Sequence, residues 1–256
     1  MKKSGFFAAA LLCLLVLPGL GMAMGLEMAI GGWDQSVDGE ASYEKVSSSD
    51  VIDFSDDAGL EDETRVMGRV KIDMPAILPN IYVMGTPMEF EGKGEKDVNF
   101  SFGDLNINQN VPFETMVTMD HVDVGLYYSI PFVNLASLKR LNIDLGLNLK
   151  VADLELEVKD LTTGQKESES YTLPIPMVYA GVQVTPIERL SIEAEARAIS
   201  LSGNHLYNLI GRVKGRVFGP MFIAGGYRYD SINLDEEDVL VDCSVDGVFL
   251  ETGFEF

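Results

Sequence analysis

The feature that most limits what this chain can become is a strict alternation of apolar and polar side chains, held over segments too long for turns. From Arg65 to Met74, one face carries Arg65, Met67, Arg69, Lys71 and Asp73, and the other Val66, Gly68, Val70, Ile72 and Met74. From Leu141 to Val151, the residues Leu141, Ile143, Leu145, Leu147, Leu149 and Val151 alternate with Asn142, Asp144, Gly146, Asn148 and Lys150. Period two is the side-chain repeat of a β-strand, so the chain is expected to be all-β. Ten segments obey it, at about 25–33, 64–74, 80–91, 117–130, 140–158, 170–184, 189–200, 205–217, 221–230 and 244–256.

The connections differ in kind. Those at 34–63, 92–116, 159–169 and 231–243 are long or acidic, whereas 75–79, 131–139, 185–188 and 218–220 are short and mostly proline-bearing. Long loops outside and short turns inside, with an even strand number, predict a transmembrane antiparallel up-and-down β-barrel of ten strands. The tight turn at Ser202, Gly203 and Asn204 is the exception; read as a bend within one strand, it gives eight strands instead. The competing architecture is a soluble barrel or sandwich, which alternates equally well but turns its apolar face inward.

Residues 1–23 have a different composition. Lys2 and Lys3 precede an apolar run from Phe6 to Leu17, and Gly21 and Ala23 occupy the positions a signal peptidase reads, so a secretory signal peptide cut after Ala23 is expected, with the barrel spanning 24–256. The apolar run is too short for a retained membrane helix. Without Lys2 and Lys3 the remaining chain has 17 basic against 40 acidic residues, a net charge of −23. That balance excludes a nucleic-acid partner, which needs a basic face. Two Cys and two His are too few for a disulfide scaffold or a His/Cys zinc cage, and only Cys243 outlasts signal removal.

Three features favour the membrane reading. Aromatics gather near strand ends: Trp33, Tyr82, Phe90, Tyr127, Tyr128, Phe132, Tyr171, Phe218, Tyr227, Tyr229, Phe254 and Phe256. Such rings form interfacial girdles in membrane barrels. Next, the last strand ends on Phe254 and Phe256, resembling bacterial outer-membrane barrel proteins, a likeness that implies recognition by the barrel-assembly machinery. Third, basic and acidic residues share the polar faces: Arg65, Arg69, Lys71, Lys150, Arg197, Arg212, Lys214, Arg216 and Arg228 with Asp73, Asp123, Asp144, Glu193, Glu195, Glu251 and Glu255. The hairpin at Ser202 should set Glu193 opposite Arg212 and Arg197 opposite Asn208. The next turn should set Arg212 and Lys214 opposite Gly226 and Ala224. Paired charges on one face suit a narrow polar lumen.

The Gly31-Gly32-Trp33 end of the first strand, the Pro75 to Pro79 turn before Asn80-Ile81-Tyr82, the Gly225-Gly226-Tyr227-Arg228-Tyr229 strand and the Phe254-Glu255-Phe256 end together resemble an uncharacterised proteobacterial family of outer-membrane β-barrel proteins with a Gly-Gly motif in the first strand. The resemblance implies fold and location and brings no activity. Gly31 and Gly32 are expected to ease bending and close packing against the closing strand.

Chemistry is faint. His121 and Asp123 share a polar face, and a His–carboxylate pair can serve as a general base, as a surface hydrolase would require. No matching second carboxylate pair or nucleophilic serine accompanies them, so no catalytic residue is assigned. His205 beside Tyr207 reads as an interfacial ring. The acidic stretch Asp34, Asp38, Glu40, Glu44, Asp50, Asp53, Asp56, Asp57, Glu61, Asp62 and Glu63 lacks calcium-loop spacing, so neither a metal nor a cofactor is assigned. The expected function is therefore a non-enzymatic outer-membrane protein serving envelope structure or surface interaction, with outer-membrane lipid and lipopolysaccharide around it. The alternatives are a narrow solute channel and the hydrolase.

Overall fold

The computed structural model describes residues 25–256 except 45, 46, 48, 49, 76, 139 and 236–238; the expected signal peptide lies outside the described residues. In chain order the elements are β1 (Gly25–Tyr43), β2 (Ile52–Asp53), β3 (Glu63–Asp73), β4 (Asn80–Thr86), β5 (Glu89–Gly94), β6 (Phe100–Phe102) and β7 (Leu105–Ile107). There follow β8 (Phe113–Ser129), a short helix α1 (Pro131–Ala136), β9 (Leu141–Asp160), β10 (Lys166–Ile187), β11 (Leu190–Leu201), β12 (Asn204–Phe218), β13 (Met221–Asp235) and β14 (Val239–Glu255). Each wall strand pairs antiparallel with its neighbours, in the order β14-β13-β12-β11-β10-β9-β8-β4-β3-β1, and β14 pairs with β1 to close the ring. The barrel has ten strands.

Two local features explain that count. Ser202 and Gly203 both hold positive φ, 54° and 96°, the backbone of a two-residue hairpin turn, so β11 and β12 are separate wall strands and the eight-strand alternative falls. The segment expected as one strand over 80–91 is two, β4 and β5, which pair in succession with β8. Pro87, with no N–H to give, interrupts the ladder there, and the Met88 amide donates instead to Asp120 Oδ1 at 2.9 Å.

The closed sheet decides which face is out. Val66, Leu147, Val178, Val213, Val248 and Leu250 are exposed on the outer wall, while Arg69, Arg197, Arg212 and Arg228 are buried inside. That is the reverse of a soluble barrel and the arrangement lipid demands.

Above this belt the polarity of the two faces exchanges. In β1, outward Met28 and Ile30 give way to outward Asp34, Ser36, Asp38 and Glu40, while the inward side chains become Val37 and Ala41. In β8, outward Val124 and Leu126 are preceded by outward Glu114 and Asp120, with Val117 and Met119 inside. In β9, outward Leu145 to Val151 are followed by outward Asp153, Glu155 and Glu157, with Ala152 and Val158 inside. The strands thus run on past the membrane as a water-type barrel with an apolar interior. The stretch Ala152–Asp160 of β9 alone adds roughly 30 Å of strand at about 3.3 Å per residue. Asp34, Asp38 and Glu40, expected in a loop, belong to this wall. A cap of Ile52, Ala58, Phe100, Phe102, Leu105, Ile107 and Phe113 packs with Val158 at its top.

Parity also corrects the aromatic girdle. Tyr128, Phe132, Tyr171, Phe218, Tyr227, Phe254 and Phe256 are exposed, but Trp33, Tyr82, Phe90 and Tyr127 are buried inside the barrel. Outside, His205, Tyr207 and Tyr229 stack in series near the level where polarity exchanges.

Candidate functional site

The middle of the lumen is filled by charged side chains. Arg69 on β3 meets Glu27 Oε1 at 2.5 Å and Glu251 Oε1 at 2.7 Å. Arg212 on β12 reaches Glu195 at 3.0 Å and Glu193 at 3.2 Å, in the register that sets Arg212 opposite Glu193. Lys71 binds Glu195 at 2.7 Å, and Arg197 binds the same carboxylate at 3.2 Å and Asn208 at 2.7 Å. Lys214 joins Glu27, Glu193 and Glu255 at 2.9, 2.8 and 3.2 Å. Higher up, Lys150 and Asn148 donate to Asp123 at 2.9 and 2.6 Å, and Arg228 donates to Asp230 at 2.7 Å and Thr86 at 2.9 Å.

Small residues across the strand pairs make room for these long side chains. Arg212 lies opposite Gly226 and Lys214 opposite Ala224. Aromatic rings supply the remaining contacts: Arg197 lies 4.8 Å from the Tyr82 ring centre and 5.2 Å from that of Tyr179, and Arg228 lies 4.4 Å from that of Trp33. Cation–ring contact is strongest where water is excluded, so these inward aromatics support buried guanidinium groups rather than headgroups. The space left among Arg69, Arg212, Arg228 and Glu251 is about 10 Å³, the volume of about one water probe.

The remaining polar-face residues sit at the rims. Arg65 contacts Glu89 at 3.3 Å near the outer end, half-exposed. Arg216 pairs with Glu255 at 2.8 Å at the opposite mouth. Asp144 accepts from Ser129 and Asn142 at 2.6 and 2.8 Å and lines a vestibule of about 1220 Å³ on the side of the short turns. Sequence reasoning missed Glu27, Asp230, Trp33 and Tyr82 as lumen groups. Glu27 and Trp33 share parity across Ala29 and Gly31, a signal diluted by two small residues.

Above the ionic layer the interior opens again. One cavity of about 360 Å³ and another of about 660 Å³ share Met119, Leu154, Leu173, Ile232, Leu234 and Cys243 among their lining residues. His121, Lys150, Asn208 and Asp230 form the floor of the first. Arg228 Nη2 lies 3.1 Å from His121 Nε2, and a guanidinium only donates, so Nε2 accepts. The proton is then on Nδ1, which donates to the Met119 carbonyl at 3.0 Å. Both ring nitrogens are engaged, and Asp123 stands 3.7 Å away, bound to Lys150.

The acidic segment is used locally. Asp53 Oδ1 accepts from the Ser55 and Asp56 amides at 3.0 and 2.7 Å, and Asp57 accepts from the Asp53 amide and pairs with Lys96 at 2.8 Å. These carboxylates shape a turn. Among the described residues no group of three or more His, Cys, Asp or Glu is arranged to hold a metal ion.

A closed antiparallel barrel with an apolar belt, a charge-filled interior and short turns at one end defines a bacterial outer-membrane β-barrel protein, and this chain is one, seated in outer-membrane lipid. Among solved structures it is similar to the translocator domain of the autotransporter NalP from Neisseria meningitidis, at 10% identity, covering 100% of this chain and 95% of that one with a TM-score of 0.44. It is also similar to Ail, the attachment invasion locus protein of Yersinia pestis, in complex with the heparin analogue sucrose octasulfate, at 12% identity, 92% and 100% coverage and a TM-score of 0.34. A third similarity is to the Pseudomonas putida toluene transporter TodX, at 7% identity, 91% and 90% coverage and a TM-score of 0.28. Likeness at this level is one of fold alone. No protein-family model and no curated protein matches the chain.

Proposed function

We propose that the protein is a non-enzymatic outer-membrane component in which a sealed membrane barrel holds a rigid head above the outer leaflet. The observation that carries this reading is the layer of buried ion pairs from Glu27 to Asp230, with a space of only about 10 Å³ left among Arg69, Arg212, Arg228 and Glu251. Charges so arranged hold one another in place, and moving any one of them strands its partner in a dry interior. The engaged ring nitrogens of His121 support the non-enzymatic part, since a general base needs a free lone pair. The acidic outer wall of the head, with Asp34, Asp38, Glu40, Asp153 and Glu155, stands at the height of lipopolysaccharide sugars and phosphates, where divalent ions would bridge the two. Phe254 and Phe256, outward on the closing strand, are the residues the assembly machinery would read. In a planar bilayer, the purified protein is expected to give no steady current. Stable stepwise conductance would overturn the sealed lumen and favour a narrow channel.

A further inference from the structure

The wall of the barrel has a gap. Strands β10 and β11 pair from Val184–Ile192 up to Val178–Ala198, and there the ladder stops. Above it, β10 continues to Lys166 paired with β9 alone, while Ile199, Ser200 and Leu201 pair only with β12. The sequence builds this break: pairing with β9 runs on through Pro174 and Pro176, so the N–H groups those prolines lack are the ones that would have bonded β11. Because the β11–β12 hairpin turns at Ser202–Gly203, the wall is low just where its neighbours β10 and β13 rise.

The gap opens into the apolar cavity of about 360 Å³. Cavity-lining residues come from both of its edges, Leu173 and Ile175 from β10 and Ile199 and Leu201 from β11, together with outward-facing Tyr207 on β12. The outer stack of His205, Tyr207 and Tyr229 puts this mouth at the headgroup level, since such rings favour that layer. Inside, the floor is ionic but balanced, Lys150 against Asp123 and Arg228 against Asp230, so it offers hydrogen bonds and no net charge. Cavities of about 300–1,000 Å³ with apolar walls and a few polar groups are the form of small-ligand sites. We propose that this chamber is a binding site for a single hydrocarbon chain with a small polar end, of the fatty-acid or lysolipid type, entering sideways from the outer leaflet between β10 and β11. The proposal goes beyond the sealed-lumen reading and does not depend on it: a conducting lumen would leave the chamber intact, and an empty chamber would leave the seal intact.

The test uses the folded protein held in amphipol and a dansyl-labelled undecanoic acid as probe. Saturable uptake at one probe per chain, displaced by palmitate and not by butyrate, is expected; uptake that rises linearly with amphipol overturns the proposal. Leu206→Trp, which narrows the chamber from within, should weaken binding by roughly tenfold, as if about two methylenes of burial were lost. Val182→Trp, on the lipid face below the gap, should leave it unchanged. A second reading needs no variant: Cys243 lines both cavities, its sulfur 3.8 Å from Met119 Sδ. Palmitate should slow its alkylation by an apolar maleimide, and an unchanged rate at saturating palmitate would overturn the site.

Discussion

Arg69 and Glu251, 182 residues apart in the chain, meet across β1 through two hydrogen bonds to Oε1, at 2.7 Å from Nη2 and 3.2 Å from Nε. The strand between them carries Gly31 directly opposite Glu251, and its missing side chain leaves the space in which the pair forms. Arg69→Ala leaves Glu251 and Glu27 in a dry lumen without their closest cation, and is expected to destabilise by about 3 to 5 kcal/mol. Urea unfolding in lipid vesicles measures this; a loss below about 1 kcal/mol, the range of exposed pairs, would mean that water fills the lumen.

Gly31 and Gly32 should separate sharply. A Cβ at Gly31 would stand 2.3 Å from the Leu250 carbonyl oxygen and 2.7 Å from Glu251 Cβ, whereas one at Gly32 would meet only Thr64 Cγ2 at 3.8 Å. Gly31→Ala is therefore expected to cost about 1 to 3 kcal/mol through forced shifts at the closing seam, and Gly32→Ala close to nothing. Equal effects in the same unfolding assay would contradict the seam geometry.

Neighbouring residues on β12 test which face is out. Val213 is half-exposed on the outer wall and Arg212 is buried against Glu193 and Glu195. Val213→Arg should cost about 2 to 4 kcal/mol near the midplane. If Val213→Arg were harmless and Arg212→Leu stabilising, the faces would have to be reversed.

In the head the rule inverts. Val117 is buried inside, and Thr118 beside it faces outward. Val117→Asp strands a carboxylate among apolar groups and should cost about 3 kcal/mol or more, while Thr118→Lys, opposite Glu89 and Glu155, should stay within about 0.5 kcal/mol. Comparable losses would place this stretch in lipid rather than in water.

The belt formed by Val66, Leu147, Val213 and Leu250 is too continuous for water to tolerate. The protein should fold only in detergent or bilayer and run anomalously on unheated gels. A monodisperse folded monomer in plain buffer would refute the membrane assignment.

Period-two patterning by itself determined that this chain is all-β and put a segment in each of the ten wall positions, because a side-chain repeat of two has no other regular backbone solution; it left the upper ends of β1, β13 and β14 in loops and read β4 and β5 as one strand. It also set Arg212 and Glu193 on one face, since parity survives any bending of the strand. What alternation could not decide is direction: Trp33, Tyr82 and Tyr127 look like girdle residues until parity is referred to a closed ring, where they fall inside, Trp33 against Arg228, Tyr82 against Arg197 and Tyr127 against Tyr179. Nor could it show that the two competing readings, membrane barrel and water-type barrel, are both present, one above the other. In β1 the alternation passes through Trp33 unbroken while the solvent around it changes from lipid to water, so inside and outside exchange polarity with no change of period. Only closure, which fixes which face each neighbour encloses, separates Ile30 turned to lipid from Val37 turned to the core. The gap above Val178–Ala198 has the same origin: Pro174 and Pro176 are visible in the sequence, but which partner their missing donors would have met is decided by the sheet.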